Sequence, residues 1–299
     1  MTNNTQAPDV VRVAYLGPEG TYSQLAVIQQ FSDGVELYQC ASIEDVFAVL
    51  KNQQTDEGQQ RGVQYGVVPV ENSTEGAINN TQDCLVDSSA IIVGEQVVLI
   101  EHNLLVQGAT DLSKLNAVAA HKQSLAQCRI WLQTNYPHVK QIECSSNAEA
   151  AKLAVADGGI AAIAGKLAAS IYQLEIARSG IQDQQHNSTR FLVLASSAAE
   201  GAMPAVTGND KTSLLVYTEN KPGALFRVLE PFENLQISLS KIETRPSKKE
   251  AWEYVFFIDF EGHINDEKVQ ELFARLQHCT AELKVLGSYP AFTSTTNSN

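Results

Sequence analysis

The sequence predicts an α/β chain in three pieces: two similar lobes of alternating strands and helices, then a smaller unit with the order βαββαβ. Three observations carry this. Over roughly the first two hundred residues, short apolar runs alternate with segments whose apolar residues recur at helical spacing. The alternation repeats, with Cys40-Ala41-Ser42 and Cys144-Ser145-Ser146 following equivalent strands in the two runs. After a small, polar, Gly- and Pro-containing stretch at 196–210, which reads as a linker, the pattern changes to strands and helices in a different order.

In the first lobe, VRVAYL at 11–16 is a strand and SQLAVIQQF the helix after it. VELYQC at 35–40 is the next strand. Ser42 then opens a helix whose Ile43, Val46, Phe47 and Leu50 form one apolar stripe, and Ser42 with Asp45 resembles a capping box with Asp in place of Glu. After the polar insert KNQQTDEGQQRG, QYGVVPV at 64–70 is a strand, placed near an edge or a strand end by Pro69. The stretch 90–107 carries the crossing into the second lobe.

There, LNAVAA at 115–120, KQIECSS at 140–146 and GIAAIAG at 159–165 are strands, and SLAQCRIWLQTNY and NAEAAKLAVA are helices. RFLVL at 190–194 returns the chain to the first lobe. Such alternation implies parallel sheets with right-handed crossovers, ligands beyond the carboxyl ends of strands, and a cleft between the lobes.

The last piece has KTSLLVY as a strand, the turn NKPG, and the helix ALFRVLEPFENL, with Pro231 marking a break or a new turn. ISLSKIETR at 237–245 is a strand. AWEYVFFIDF at 251–260 puts Trp252, Tyr254, Phe256, Ile258 and Phe260 on one face. The helix DEKVQELFARLQHC aligns Val269, Leu272, Phe273 and Leu276, and ELKVLGSY closes with a strand. The order is that of a ferredoxin-like unit, and its lack of a catalytic cluster points to binding rather than chemistry.

Composition bounds the function. The chain has 299 residues, 44% hydrophobic and 18% charged, a globular balance. A formal charge of −13 argues against nucleic acid, and no apolar run approaches the length of a membrane span. The amino terminus lacks the basic and apolar regions of a signal peptide. Five cysteines without a CxxC pair read as reduced, mostly packing thiols of a cytoplasmic protein. No HExxH or close Cys/His cluster points to a metal, and no GxSxG elbow to a serine nucleophile.

Three strand ends carry unusual polar groups. Gly17-Pro18-Glu19-Gly20-Thr21-Tyr22-Ser23 reads equally as a carboxylate site at a helix start or as a loop with Thr21 as N-cap. Glu71, Asn72, Ser73 and Thr74 follow a strand, a cluster that more often does turn and capping work. His186-Asn187-Ser188-Thr189-Arg190-Phe191 sets neutral donors and one cation at a strand mouth. His102, His121 and His186 each read alone as surface or hydrogen-bonded residues, and Cys128 and Cys144 as packing residues.

Together these segments resemble a known family. YLGPEGTYSQLA, GVVPVENSTEGAI and NSTRFLVL, in this order, resemble prephenate dehydratase with its Thr-Arg-Phe motif, and the third piece resembles an ACT domain through GALF at 223–226 and ETRP at 243–246. The resemblance spans about residues 11–290. With only about ten residues before the first strand, and no helical chorismate-mutase segment there, it reads as the monofunctional form.

It implies a type II periplasmic-binding-protein-like catalytic domain at 11–195, with the second lobe at about 105–178, and a regulatory ACT domain at 211–290. The implied reaction is prephenate to phenylpyruvate, water and carbon dioxide in phenylalanine synthesis, without a cofactor or metal. Thr189 is implied as the catalytic donor to the leaving hydroxyl. Asn72 and Gln127 match family positions in or near the cleft, and Thr21, Ser73, His121, Arg190 and Phe191 are candidates for substrate contact.

Gly223, Ala224, Leu225 and Phe226 with Glu243, Thr244, Arg245 and Pro246 are implied to bind phenylalanine between ACT domains paired in a homodimer or homotetramer. Ala120-His121-Lys122-Gln123 departs from the family's usual Ser-His-Pro-Gln, and AIAGKLAA from its Ala-Ser-then-acidic run. Arogenate dehydratase and a non-catalytic small-molecule binder are the alternatives.

Overall fold

The computed structural model describes residues 10–31, 34–51, 62–108, 110–197, 203–219, 221–247 and 254–293. Most of the polar insert, Trp252 and the middle of the 196–210 stretch lie outside them. The first lobe contains β1 (Val11–Leu16), α1 (Tyr22–Phe31), β2 (Val35–Cys40), α2 (Ile43–Lys51), β3 (Tyr65–Asn72), β4 (Gly76–Ala77), α3 (Asn79–Asp87) and β5 (Ile91–Leu99). The second contains β6 (Asn103–Val106), β7 (Ala117–His121), α4 (Lys122–Gln127), α5 (Arg129–Asn135), β8 (Lys140–Cys144), α6 (Asn147–Ala156), β9 (Ile160–Ala164), α7 (Lys166–Ile171) and β10 (Glu175–Arg178). β11 (Ser188–Ala195) rejoins the first sheet, whose order is β2-β1-β3-β11-β5 with β4 beside β3.

The expected box at the start of α2 forms: the Asp45 amide donates to Ser42 Oγ and the Ser42 amide to the Asp45 carboxylate, both at 3.1 Å. Where α2 crosses β3, a Cβ on Gly66 would lie 2.8 Å from side-chain atoms of Val46 and Leu50, so glycine there lets the helix lie on the strand. β3 lies inside the sheet rather than at its edge. Its ladder with β1 runs from Tyr65 to Val67, so Pro69 falls past it, at the carboxyl end where no β1 partner needs its missing N–H.

The second sheet has the order β10-β6-β9-β7-β8. The expectation of all-parallel sheets fails here: β7 runs parallel to β8 and β9, but β6 is antiparallel to both β9 and β10. The reason is connectivity, because β6 enters directly from the first lobe instead of through a crossover helix. Small residues let α6 and α7 sit close to this sheet, with Ala150, Ala151, Ala154 and Ala168 packed on Ala119, Ala162 and Ala164. The single helix expected over 124–136 is two, parted at Cys128. Asp183 explains the break: its carboxylate oxygens accept from the Ile130 and Trp131 amides at 3.0 and 3.1 Å and so cap a new helix start.

The remaining elements are β12 (Asp210–Tyr217), α8 (Ala224–Asn234), β13 (Leu239–Pro246), β14 (Tyr254–Glu261), α9 (Glu267–Leu276) and β15 (Glu282–Pro290), in an antiparallel sheet ordered β13-β14-β12-β15. This is the predicted βαββαβ arrangement. Val228, Phe232, Val269, Leu272 and Leu276 of the helices bury against Leu214, Val216, Phe256, Ile258 and Phe260. Pro231 does not break α8, which continues through it. The ring's fixed φ is helical, and burying Pro231 beside Phe232 offsets the lost backbone bond.

By its internal contacts the chain forms two compact units. One takes the chain up to Thr81 and Gln96–Phe191; the other takes Gln82–Glu95 and Leu192 onward. Within the second, Lys284 Nζ donates to the carbonyls of Leu85, Val86 and Ser88 at the end of α3, at 3.0, 3.1 and 2.5 Å. Burial lowers the Lys284 pKa there. Arg245 pairs with Asp83 at 2.7 Å, and Lys211 with the nearly buried Glu95 at 2.7 Å. Among the described residues no helix is long and apolar enough to cross a membrane.

Candidate active site

The two lobes of the first unit enclose a cleft of about 860 Å³. Thr21, Asn72, His121, Gln127, Thr189 and Phe191 all line it. Ser73 and Arg190 do not. Arg190 alternates with Thr189 and Phe191 along β11 and so takes the other face. Ser73 ties two segments together instead: its amide donates to the Ser188 carbonyl at 2.9 Å, and its hydroxyl accepts from the Ser188 amide at 2.9 Å. His186 is exposed and offers Ser73 only its backbone carbonyl.

Thr21 does both things its loop was read for. Its hydroxyl accepts from the Gln24 amide at 3.4 Å, capping α1, and it stands in the cleft wall. The neighbouring Gly20 has φ +83°, and a Cβ there would press on Ala168 and Tyr172 at 3.0–3.3 Å, so glycine serves both the turn and the approach of the lobes. The altered run after β9 has a similar logic: a Cβ on Gly165 would meet the Tyr22 ring at 3.2 Å. Tyr22 and Tyr172 donate to the carbonyls of Glu101 and Glu19, at 2.7 and 2.9 Å. In the Ala120-His121-Lys122-Gln123 segment, Ala120 is fully buried, while His121 Nδ1 accepts from the Gln123 amide at 3.4 Å and Lys122 joins the cleft wall.

At the mouth of β11 a chain of amides sets the orientation of every group. Asn72 Oδ1 accepts from the Thr74 and Glu75 amides, at 3.0 and 3.1 Å, in the turn after β3. Backbone N–H groups can only donate, so that atom is the oxygen and the other is the nitrogen. Asn72 Nδ2 then donates to Thr189 Oγ1 at 2.9 Å and to Asn187 Oδ1 at 2.8 Å. Asn187 Nδ2 must therefore donate to Gln127 Oε1, at 3.2 Å. Thr189 Oγ1 spends a lone pair on Asn72, and its own proton is committed to no acceptor among the described residues. Thr189 is 8% exposed, so the proton that remains is one the cleft can use.

The sequence pattern missed Asn187, Thr74 and His102 as members of this cluster. Asn187 and Thr74 lay inside the polar segments already singled out. His102 reads from sequence only as a surface or hydrogen-bonded residue, because its partner Gln127 is 25 residues away.

The fold and cleft define a two-lobed α/β enzyme that carries a small carboxyl-terminal domain of the regulatory, ligand-binding type. Residues 13–199 match the family "Prephenate dehydratase" and residues 212–278 match "ACT domain". The bifunctional chorismate mutase/prephenate dehydratase of Pseudomonas aeruginosa is 44% identical over 94% of this chain and 73% of its own length. The Escherichia coli protein of the same description is 36% identical over 95% of this chain and 72% of its own length. The structure of prephenate dehydratase from Arthrobacter aurescens in complex with L-Phe superposes with a TM-score of 0.83, at 29% identity, covering 94% of this chain and 90% of that one. The chain belongs to the prephenate dehydratase family of lyases and carries an ACT domain.

Among the described residues no thiol lines the cleft, and the buried Cys128 and Cys40 beside it are poorly placed to act as nucleophiles. Burial, and then the nearby Asp183 carboxylate, push Cys128 up to about 12; burial, and then Asp45, push Cys40 up to about 11. A raised thiol pKa leaves the group protonated at ordinary pH. Native protein treated with iodoacetamide at pH 8 and digested for mass spectrometry is expected to show Cys128 and Cys40 unmodified. Rapid labelling of Cys128 while the fold persists would contradict this.

Proposed function

We propose that the cleft converts prephenate to phenylpyruvate, water and carbon dioxide, with Thr189 donating to the departing ring hydroxyl. The observation that carries the reading is the bond from Asn72 Nδ2 to Thr189 Oγ1, which leaves the hydroxyl proton for substrate. The substrate supplies the driving force, because losing the ring carboxylate and hydroxyl together makes the ring aromatic. The carboxylate leaves as carbon dioxide, its bonding electrons enter the ring, and the carbon–oxygen bond breaks. One proton must reach the departing hydroxide.

A threonine is too weak an acid to deliver that proton outright. Its hydrogen bond strengthens as negative charge builds on the oxygen, and this lowers the barrier. Phe191 gives the wall an apolar surface that suits loss of a charged carboxylate as neutral gas. The amino-terminal turns of α1 and α6 and the Lys122 ammonium at the cleft wall favour the dianionic substrate despite the chain's net charge of −13. Thr189→Ala is expected to lower kcat by about a hundredfold or more with KM changed little, and Thr189→Ser to keep part of the rate. Following phenylpyruvate absorbance checks this, with arogenate run in parallel to test side-chain preference. Near-normal turnover in Thr189→Ala would reject the role.

The ACT domain gives the chain its response to phenylalanine. Gly223, with φ +75°, starts α8 in the left-handed conformation and allows the backbone to approach an amino acid; Glu243 on β13 suits an ammonium. β13 is an edge strand, and Phe226, Leu239 and Ile242 expose 67%, 36% and 44% of their surface, which supports pairing of two such domains in a homodimer or homotetramer. The cysteines form no disulfide among the described residues, which favours a cytoplasmic setting. Glu243→Ala is expected to raise the phenylalanine concentration for half-inhibition by about tenfold while leaving kcat without effector unchanged. Unchanged inhibition would count against Glu243.

A further inference from the structure

His102 lines the cleft and is 2% exposed, yet it takes no part in the chemistry above. It sits between the lobes, just after the crossing from β5, with its backbone N–H donating to Gln182 Oε1 at 3.0 Å and its ring edge-on to Tyr22. Its Nε2 lies 2.8 Å from Gln127 Oε1. Its Nδ1 is buried and has no hydrogen-bond partner among the described residues. A buried imidazole with one nitrogen engaged and the other bare is costly, so the engaged nitrogen calls for an explanation.

The amide chain decides what that nitrogen does. Gln127 Oε1 is an acceptor, because it receives Asn187 Nδ2, whose identity follows from Asn72 and the turn amides. Gln127 Nε2 points the other way, to Thr74 Oγ1 at 3.4 Å, and Thr74 Oγ1 in turn reaches Asn72 Oδ1 at 2.6 Å. His102 must therefore carry its proton on Nε2 and donate. Burial holds the ring below the ordinary imidazole pKa, against the opposing effect of the Gln127 bond, so the ring is neutral with Nδ1 as a lone pair.

We infer that His102 is a positioning residue for the dehydration: its Nε2–H fixes the Gln127 amide, which fixes Asn187, which with Asn72 holds Thr189 as a donor to substrate. The inference rests on the reading of the cleft as a prephenate dehydratase site with Thr189 as donor. Gln127 is where it acts. Without the ring N–H, the Gln127 amide is free to turn over and present its NH2 group to Asn187, two donors facing each other. Relief then requires Asn187 to turn as well, which puts its own NH2 against Asn72 Nδ2 and sets the Asn72–Thr189 bond at risk.

Three variants and one spectrum test this. Glutamine can place a side-chain N–H where Nε2 stands; asparagine is too short to do so, and leucine has no donor. With prephenate as substrate, His102→Asn and His102→Leu are expected to lower kcat by about tenfold or more with KM changed less than about threefold, while His102→Gln stays within about threefold of the parent. Nitrogen-15 NMR of the folded protein near pH 7 is expected to show His102 protonated at Nε2 and bare at Nδ1. Thermal melting and circular dichroism establish that each variant is folded, and if leucine fails to fold the asparagine and glutamine pair still decides.

Equal loss in asparagine and glutamine variants overturns the inference, as does full activity in all three, or an Nδ1–H tautomer. These failures are separable from failure of the underlying reading. If Thr189→Ala keeps its turnover, the reading of the cleft falls whatever His102 does. If Thr189→Ala is inactive and the His102 variants are all unaffected, only the positioning role falls.

Discussion

The cleft depends on one turn. The Thr74 and Glu75 amides close on Asn72 Oδ1, and the direction of each hydrogen bond along the amide chain follows from that. An amide side chain has two ends of similar shape and opposite hydrogen-bonding sense, so a backbone turn that accepts only the oxygen end removes the ambiguity. The choice passes from Asn72 to Thr189 and Asn187, and from Asn187 to Gln127. The result is a neutral network that needs no titrating acid to keep Thr189 pointed as a donor. A buried network of this kind costs heavily when half satisfied, which gives the turn after β3 its leverage over chemistry at β11.

The elements around this network serve to bring its ends together. β3 and β11 are neighbours in the first sheet, which places Asn72 beside Thr189 although they lie 117 residues apart. Gln127 is the last residue of α4 in the second lobe, and that helix stops there because Asp183 caps a new one. In the second unit the same economy appears: Lys284 and Arg245 of the βαββαβ sheet both hold α3, one at its terminal carbonyls and one at Asp83. Arg245 thus meets a carboxylate of its own chain.

Much of this was legible in the residues. Strand and helix periodicity located β1, β2, β8, β9 and all six elements of the last piece, because each follows from local spacing. The strand mouth at His186–Phe191 and the cluster after β3 were visible as polar groups where apolar ones are normal. What stayed hidden depends on contacts far apart in sequence. The break at Cys128 needs Asp183, 53 residues on from Ile130. The antiparallel β6 depends on where the crossing delivers the chain. Pro231 misled because the rule for proline in helices neglects what burial of its ring returns. Ser73 and Arg190 were sensible candidates by type, but sheet alternation and a backbone tie turn them away from the cleft wall. His102 could not be chosen at all, since its significance lies in an acceptor fixed by residues from three other segments.

The central claim is a direction: the hydroxyl proton of Thr189 points into the cleft because Asn72 donates to its oxygen. Neutron diffraction from deuterium-exchanged crystals of the protein without substrate reads this directly. The account predicts deuterium on Asn72 Nδ2 along the line to Thr189 Oγ1, and the Thr189 deuterium turned toward the open cleft. A Thr189 deuterium directed at the Asn72 side chain would contradict it.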